Sequence, residues 1–442
     1  MKIAVIGSGI SGLSAAWLLS RDHEVTLFEQ GHRLGGHTNT VDMSLAEGDV
    51  PVDTGFIVYN EENYPNLTAL LAYLGVETVP ARMSFALSFG NGAYEYSGSL
   101  AGFFGQPANA LDPGHWKLFF EILRFFREAP AAIERDEGPL TLGDALASRG
   151  YSRRFVESHL LPMAAAIWST PMDRMLQYPA GSFLRFYRNH GLLRLIGRPQ
   201  WRTVANGARE YVRRLVCDGR IDVRPDSPVS GVTRRGSRVY VQVRDAALHA
   251  FDHVIIATHA DQALRLLSDA DDLEQDLLGA FRYQANRAVL HTDRSLMPRR
   301  RRLWASWNYM KVDDGAETEM CVSYWMNSLQ KLATDTDVFV TLNPPRMPDP
   351  GRTHGSFSYD HPVFDGRAVA ARERLWSLQG RRRTWFCGSY FGDGFHEDGI
   401  QSGLAVAEQV GDVRRPWSVP DESGRIRLVP PAVGVQLPEA AE

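Results

Sequence analysis

With 442 residues, 44% hydrophobic and 23% charged, the chain has enough material for two domains with sizeable cores. Its net charge of −4 excludes a general attraction to nucleic acid or anionic membrane, whatever local patches do. Cys217, Cys321 and Cys387 show no CxxC or metal-ligand spacing, no signal peptide precedes the first strand pattern, and no run approaches the ~18 apolar residues of a membrane span, so a reduced, cytoplasmic protein without bound metal is expected.

Lys2-Ile3-Ala4-Val5-Ile6 is an apolar run of strand length, followed by Gly7-Ser8-Gly9-Ile10-Ser11-Gly12 and a helix-like stretch from Leu13. Strand, GxGxxG and helix in register form a dinucleotide cradle. Gly7 permits the tight turn, Gly9 lets backbone approach a pyrophosphate, and Gly12 lets helix and strand pack closely, with the phosphates on the helix start at Ile10 and Ser11. A second strand over residues 24–28 closes on Glu29, whose carboxylate is placed to accept from adenosine ribose hydroxyls, with Gln30 beside it. These features in register outweigh the bland alternative of a glycine turn without a ligand.

Next come Gly31-His32-Arg33-Leu34-Gly35-Gly36-His37-Thr38, a second glycine pair that a nicotinamide domain does not need, and Val52-Asp53-Thr54-Gly55-Phe56. A hairpin is predicted over residues 85–96, where Asn91-Gly92 is a strong turn signal; residues 81–199 otherwise read as mainly helical. Within them, residues 115–127 carry apolar groups over more than half the helix circumference, bounded by Lys117, Arg124 and Arg127, a stretch suited to lining or gating an apolar tunnel. Residues 182–202 mix Phe183, Leu184, Phe186, Leu192, Leu193, Leu195, Ile196 and Trp201 with Arg185, Arg188, Arg194, Arg198 and Arg202, the composition of a surface that meets phospholipid heads. Core packing beneath a solvated basic face accounts for either stretch taken alone. Further on, Thr203-Val204 and Asn206-Gly207-Ala208 precede a helix, and Pro228-Val229 opens a strand pair ending at Asp252-His253-Val254-Ile255-Ile256-Ala257-Thr258. Residues 280–365 alternate strand-like runs, with Arg299-Arg300-Arg301-Arg302 as a solvated basic run or a further contact for anionic heads. Thr384-Trp385-Phe386-Cys387-Gly388 reads as a buried strand, Gly399-Ile400-Gln401-Ser402-Gly403 begins a helix of small residues, and the polar chain from Pro416 reads as a surface tail.

These motifs, in this order, resemble the flavoprotein superfamily of amine oxidases, protoporphyrinogen oxidases and carotenoid desaturases. Arg33, Gly35 and Gly36, spaced by Leu34, match its R-x-G-G-R-x-x-T segment, with His37 replacing the second arginine, so that a cation there depends on imidazole protonation. Thr54 and Gly55 fall in its D-x-G segment, Asn206-Gly207 resembles its G-G helix start, and Val229 lies in the segment whose backbone contacts adenine, with Thr258 at the end of the strands that follow. Gly388, Gly399 and Ile400 match its C-terminal flavin segment. A helix N-terminus there, with the amides of Gly399 and Ile400 at its head, would stabilise negative charge on the reduced ring. The resemblance implies an α/β, amine oxidase-like two-domain flavoprotein: a Rossmann-like FAD-binding domain assembled from discontinuous segments (1–80, 200–279 and 381–412), an α+β substrate domain (81–199 and 280–380) and a tail (413–442). Ser356, near the place where some relatives carry a cysteine joined to flavin, implies noncovalent FAD.

The departures from the superfamily bear on substrate. The stretch Asn286-Arg287-Ala288-Val289-Leu290-His291-Thr292 has no lysine where many of its amine oxidases hold one above flavin N5. Phe395 stands at one aromatic-wall position, and Phe357 or Tyr359 near the other. Ile167-Trp168-Ser169-Thr170-Pro171, the stretch from Phe186 to Leu193, Pro199-Gln200-Trp201-Arg202-Thr203-Val204 and Gly394-Phe395-His396-Glu397-Asp398-Gly399 resemble a bacterial flavoprotein subfamily that accompanies cyclopropane-fatty-acyl-phospholipid synthases. That resemblance implies desaturation of a modified, methylated fatty acyl chain of phospholipid on the way to a furan fatty acid. It also implies peripheral contact with the inner face of the membrane and a lipid methyltransferase or cyclopropane synthase as functional partner. His396 and Glu397, just before the flavin segment, are the candidate catalytic pair: His396 as base or substrate-orienting group, Glu397 as its partner or as a helix N-terminal acid. Plain capping is their alternative reading, and His190, His291 and His361 read as structural. A flavin amine oxidase, or a noncatalytic flavin-binding partner of a lipid methyltransferase, are the competing functions.

Overall fold

The structure, a computed structural model, describes residues 1–135, 140–168, 175–189, 192–194, 197–244, 248–313 and 318–428. Ser169, Thr170, Pro171, His190, Leu195, Ile196 and the expected tail from residue 429 onward lie outside the described residues. The chain divides into two compact units, one of Met1–Arg33, Gly219–Phe281 and Arg367–Glu442, the other of Leu34–Asp218 and Arg282–Gly366.

The first unit is built on a five-stranded parallel sheet in the order Ile221–Arg224, Glu24–Phe28, Lys2–Ile6, His253–Ile256, Thr384–Phe386. The first strand of the chain is apolar on both faces because it lies at the sheet's centre, where Ile3, Ala4 and Val5 are fully buried. The helix Ile10–Leu19 is buried along its whole length, and the helix His396–Gly411 packs on it through small residues. A Cβ at Gly403 would stand 2.2 Å from the Ser11 carbonyl oxygen, and one at Gly411 2.4 Å from a Leu19 methyl. A three-stranded antiparallel sheet, Val229–Arg235, Arg238–Val243 and Leu248–Phe251, completes the strands of this unit among the described residues.

The polar composition after Pro416 misleads as far as Leu428. Trp417 stacks on Trp17 with centroids 5.7 Å apart, Ile426 is buried, and the buried Arg415 forms a two-point ion pair with Glu408 at 2.7 and 2.8 Å. The anchors are single residues without a period, so no periodic signal announces them.

The second unit carries a seven-stranded sheet in the order Thr353–Val363, Arg282–His291, Phe339–Leu342, Thr318–Trp325, Trp307–Asp313, Phe85–Phe89, Tyr94–Ser97. It is antiparallel except where Trp307–Asp313 runs parallel to Phe85–Phe89. The hairpin Phe85–Phe89/Tyr94–Ser97 turns at Asn91 (φ 51°) and Gly92 (φ 88°), as the Asn-Gly pair demands. Residues 34–80 and 200–218, grouped with the nucleotide segments in the sequence, pack in this unit. Their tie is Asp53, whose carboxylate accepts from the Ala208 amide at 3.0 Å and from Gln330 Nε2 at 2.6 Å.

The helix Pro113–Arg135 buries Leu118, Phe125 and Ala129 and leaves Trp116 and Phe120 exposed. Its apolar band is therefore split between a core face and a solvent face. In the stretch from Phe183 onward, Phe183, Leu184 and Leu193 are buried while Arg185, Arg188, Arg194 and Arg198 are exposed, so core packing beneath a basic face describes it. In the arginine run, Arg300 pairs with Glu95 at 2.7 Å and Arg301 with Asp337 at 2.8 Å. Among the described residues no helix is long and apolar enough to cross a membrane.

Candidate functional site

The cradle of the first unit follows from its glycines. Gly7 has φ +102°, and a Cβ there would stand 3.0 Å from the Ala257 carbonyl oxygen; at Gly12 it would stand 1.9 Å from the Gly7 carbonyl and 2.9 Å from the Ala257 methyl. Helix and strand thus meet at backbone distance, with Thr258 against the same turn. Gly9 differs, because nothing lies within 4 Å of its Cβ position. The turn is closed on the protein side and open at Gly9, on the side where the helix begins. Ile10 and Ser11 are buried just beyond it.

Glu29 borders this turn. Its Oε2 accepts from the Ser8 amide at 3.0 Å and the Ser8 hydroxyl at 2.6 Å, and its Oε1 from the Gly31 amide at 2.9 Å. A carboxylate offers about four acceptor sites, so capacity remains chiefly on Oε1 unless the Ser8 hydroxyl rotates away. The Ser227 amide donates to the Glu29 carbonyl at 2.8 Å, bringing the start of the strand Val229–Arg235 to the same place. Gln30 and Arg33 are exposed.

The C-terminal flavin segment of the sequence forms the helix His396–Gly411. The Gly399 amide donates to the Phe395 carbonyl at 3.1 Å. It is therefore spent inside the helix, and Ile400 lies one residue deeper. The positive end of the helix falls at residues 396–398, which corrects the assignment of the Gly399 and Ile400 amides. What Gly399 provides is proximity, since a Cβ there would stand 2.8 Å from Ile10 Cγ2. Gly388 is tied to the same helix by Ser402, whose hydroxyl accepts from the Gly388 amide at 3.0 Å.

His396 keeps part of its surface exposed, yet its ring lies deep enough that burial pulls its pKa down to about 3. The imidazole is neutral at physiological pH. Protonating it at pH 7 costs roughly 5 kcal/mol at ~1.36 kcal/mol per pKa unit, which favours a hydrogen-bonding role over that of a strong base. Glu397 is fully buried and accepts from Gln401 Nε2 at 3.0 Å. Asp398, missed in the sequence, shapes the helix start: its Oδ2 accepts from the Phe395 and Asp393 amides at 2.7 and 3.0 Å, and its Oδ1 pairs with Arg425 Nε at 2.6 Å. Burial raises its pKa to about 6 against the pull of Arg425. The aspartate three residues into the helix was a legible capping signal; its partner, 27 positions on, was not.

In the second unit the two remaining motif segments meet. The Phe56 amide donates to the His37 carbonyl at 2.8 Å, and a Cβ at Gly55 would stand 2.1 Å from that oxygen. Gly35 has φ +106° and closes its turn by accepting from the Thr38 amide at 2.9 Å. The strand Thr353–Val363 sends Phe357, Tyr359 and His361, alternate residues of one face, toward these segments. Phe357 stacks on Tyr359 at 6.5 Å, and the His37 ring lies 5.3 Å from Tyr359 and 5.6 Å from His361. The Tyr359 hydroxyl is held by Thr54 Oγ1 at 2.7 Å and Asn39 Nδ2 at 2.9 Å. Burial raises the pKa of Asp53 to about 7, even though Thr40, Ala208 and Gln330 all donate to its carboxylate. Asn39 and Gln330 carry no motif and were not legible. His291 is buried with its pKa near 4 and bonds Thr341 Oγ1 at 2.7 Å, a structural histidine.

Over residues 10–302 the chain matches the family described as flavin containing amine oxidoreductase. It belongs to that family. Over 40 residues it is 55% identical to 4,4'-diapophytoene desaturase (4,4'-diaponeurosporene-forming) of Staphylococcus aureus (strain Newman), a match that covers 9% of this chain and 8% of the desaturase. Among solved structures, a CLA-producing fatty acid isomerase from P. acnes shares 15% identity with a TM-score of 0.65, covering 93% of this chain and 98% of the isomerase. Cyclohexylamine oxidase from Brevibacterium oxydans IH-35A shares 16% with a TM-score of 0.65, covering 93% and 98%. At these identities the likeness shows the fold, an amine oxidase-like two-domain flavoprotein with a parallel sheet.

FAD is the cofactor of this flavoprotein, and the cradle fits it. With nothing within 4 Å of its Cβ position, Gly9 would let a pyrophosphate approach the backbone, and Glu29, beside the same turn, would be the carboxylate for a ribose. Glu29→Ala should weaken FAD binding by about 1.5–3 kcal/mol, the range of a charge-assisted hydrogen bond, read by titrating apoprotein with FAD. Unchanged affinity would show that Glu29 serves only its bonds to Ser8 and Gly31.

Proposed function

We propose that this chain is an FAD-dependent oxidoreductase that desaturates a modified, methylated fatty acyl chain of phospholipid. The observation that carries the reading is the strand pair Arg282–His291/Thr353–Val363. Asn286 stands opposite Tyr359 and Ala288 opposite Phe357, and the lysine that many amine oxidases of the superfamily place on this strand is absent. The apolar and aromatic pair Ala288–Phe357 suits an acyl chain better than an ammonium group. The presence of a desaturase and a fatty acid isomerase among similar proteins supports it, as does the subfamily resemblance.

FAD, when bound, would supply the two-electron acceptor that a desaturation requires. We assign the dinucleotide's phosphates to Gly9, Ile10 and Ser11, its ribose to Glu29, and the ring edge to the helix start at His396. His396 orients the substrate or receives the proton lost from carbon, with the helix start held by Asp398 and Arg425 and the side chain of Glu397 fixed by Gln401. A methylated acyl substrate requires a lipid methyltransferase of the cyclopropane synthase kind to act first.

Anaerobic mixing with detergent-dispersed phospholipid bearing a methylated unsaturated acyl chain should bleach the oxidised flavin. Rapid bleaching by polyamines or aromatic amines, with no response to such lipid, establishes an amine oxidase instead. A spectrum unchanged by every lipid and amine leaves a noncatalytic flavin protein. The FAD is read as noncovalent, because Ser356 is an exposed serine on the strand Thr353–Val363. Acid precipitation should therefore give a colourless pellet and a yellow supernatant; a yellow pellet would reveal a covalent link.

A further inference from the structure

We infer that the outer face of the helix Pro113–Arg135 is a docking surface for a bilayer with anionic headgroups. The inference takes its partner from the substrate reading above and its geometry from the second unit alone. Leu100 is 69% exposed, Leu111 87%, Trp116 42% and Phe120 60%. Isolated exposed apolar side chains are ordinary, but Trp116 and Phe120 belong to one aromatic cluster, with the Trp116 ring 4.6 Å from Phe104 and 6.4 Å from Phe120. Trp116 Nε1 donates to the Ala110 carbonyl at 3.0 Å, so the one polar atom of the indole is satisfied within the protein and the ring can leave water.

At ~100° per residue, Trp116, Phe120, Arg124 and Arg127 share one helix face, with Lys117 at its edge. Lys117 and Arg127 are exposed, and Arg124 is tethered to Glu128 at 2.8 Å. The helix Ala180–Asn189, which packs on this helix, carries the exposed Arg185 and Arg188. Apolar rings within a fringe of cations match a partner that is anionic at its surface and apolar just beneath, the layering of a bilayer interface. A two-fold contact between copies of this chain would set the same cationic fringe against itself.

The test uses the full-length, FAD-loaded protein in flotation with saturated phosphatidylcholine vesicles, with and without saturated phosphatidylglycerol. These lipids carry no methylated chain, so binding is read apart from turnover. The protein should float with the anionic vesicles. Trp116→Glu/Phe120→Glu should lower that partitioning by roughly tenfold or more with the flavin spectrum unchanged, and Lys117→Glu/Arg127→Glu should lower it less, by an amount that vanishes at high salt. Failure of the wild-type protein to float with either vesicle overturns the inference, as does equal flotation of Trp116→Glu/Phe120→Glu. A change of oligomeric state in that variant without loss of flotation assigns the patch to self-contact and also overturns it. Flotation that depends on Trp116 and Phe120, in a protein whose flavin no acyl lipid reduces, supports the docking surface and removes the substrate reading alone.

Discussion

Gly9→Ala should yield a folded protein with much weaker affinity for FAD. Gly9 has φ −64° and ψ 175°, which any residue adopts, and its Cβ position is empty of protein atoms. Folding therefore has no quarrel with the methyl group. On the assignment of the pyrophosphate to this space, the cofactor does, since the methyl would enter the path by which it approaches the backbone. Loss of one or two charge-assisted hydrogen bonds predicts a fall in FAD affinity of roughly two orders of magnitude. Titration of apoprotein with FAD, beside the melting temperature of the same apoprotein, separates the two effects. Gly12→Ala is the control with the opposite cause, because its methyl would meet the Gly7 carbonyl and Ala257 and so damage the fold itself. Wild-type FAD affinity in Gly9→Ala would show that the open space at Gly9 is not where the phosphates lie.

His396→Ala should slow flavin reduction by something like 10²-fold, the range for loss of a positioned acid–base group. The value near 3 for its pKa divides the two ways this residue can act. A hydrogen-bonding group is replaced in part by glutamine, whereas a proton acceptor is not. Recovery of most of the rate in His396→Gln thus identifies an orienting histidine, and a rate as low as that of alanine identifies a base; full activity in both removes His396 from the reaction. The same residue couples folding to pH. With a folded pKa below that of the free side chain, the unfolded chain takes up the proton first as pH falls. The stabilising contribution of neutral His396 is complete above about pH 6.5 and is lost between there and about pH 3. His159 and His291, both pulled to about 4 by burial, act in the same direction. The melting temperature should decline over that range, less steeply in His396→Ala.

The nucleotide cradle was legible because all of its causes are local: an apolar strand, three glycines at fixed offsets, a helix and a closing acid within about thirty residues. The hairpin at Asn91-Gly92 was legible for the same reason. Residues whose role depends on distant partners were not. Nothing near Asp53 announces Gln330, 277 positions away, which both donates to its carboxylate and accepts from its amide. Nothing near Asp398 announces Arg425. The start of the helix His396–Gly411 lies one turn before the small residues from Gly399 onward, because those residues mark its packing face, whereas the carboxylate of Asp398 caps the chain at Phe395. In the helix Pro113–Arg135 the aromatic content was evident from composition, but which rings face solvent depends on what the rest of the unit covers.

The contact between Gly403 and Ser11 makes the nucleotide-binding layer a long-range assembly. The helix Ile10–Leu19 is buried by a helix that lies far from it in sequence, and the strand Thr384–Phe386 at the edge of the parallel sheet comes from the same distant segment. Without those segments the apolar strand Lys2–Ile6 and the helix Ile10–Leu19 lack the neighbours that cover them in the finished fold. Pairings of such high sequence separation form slowly. Completion of this layer therefore depends on contacts that the local glycine motif cannot supply.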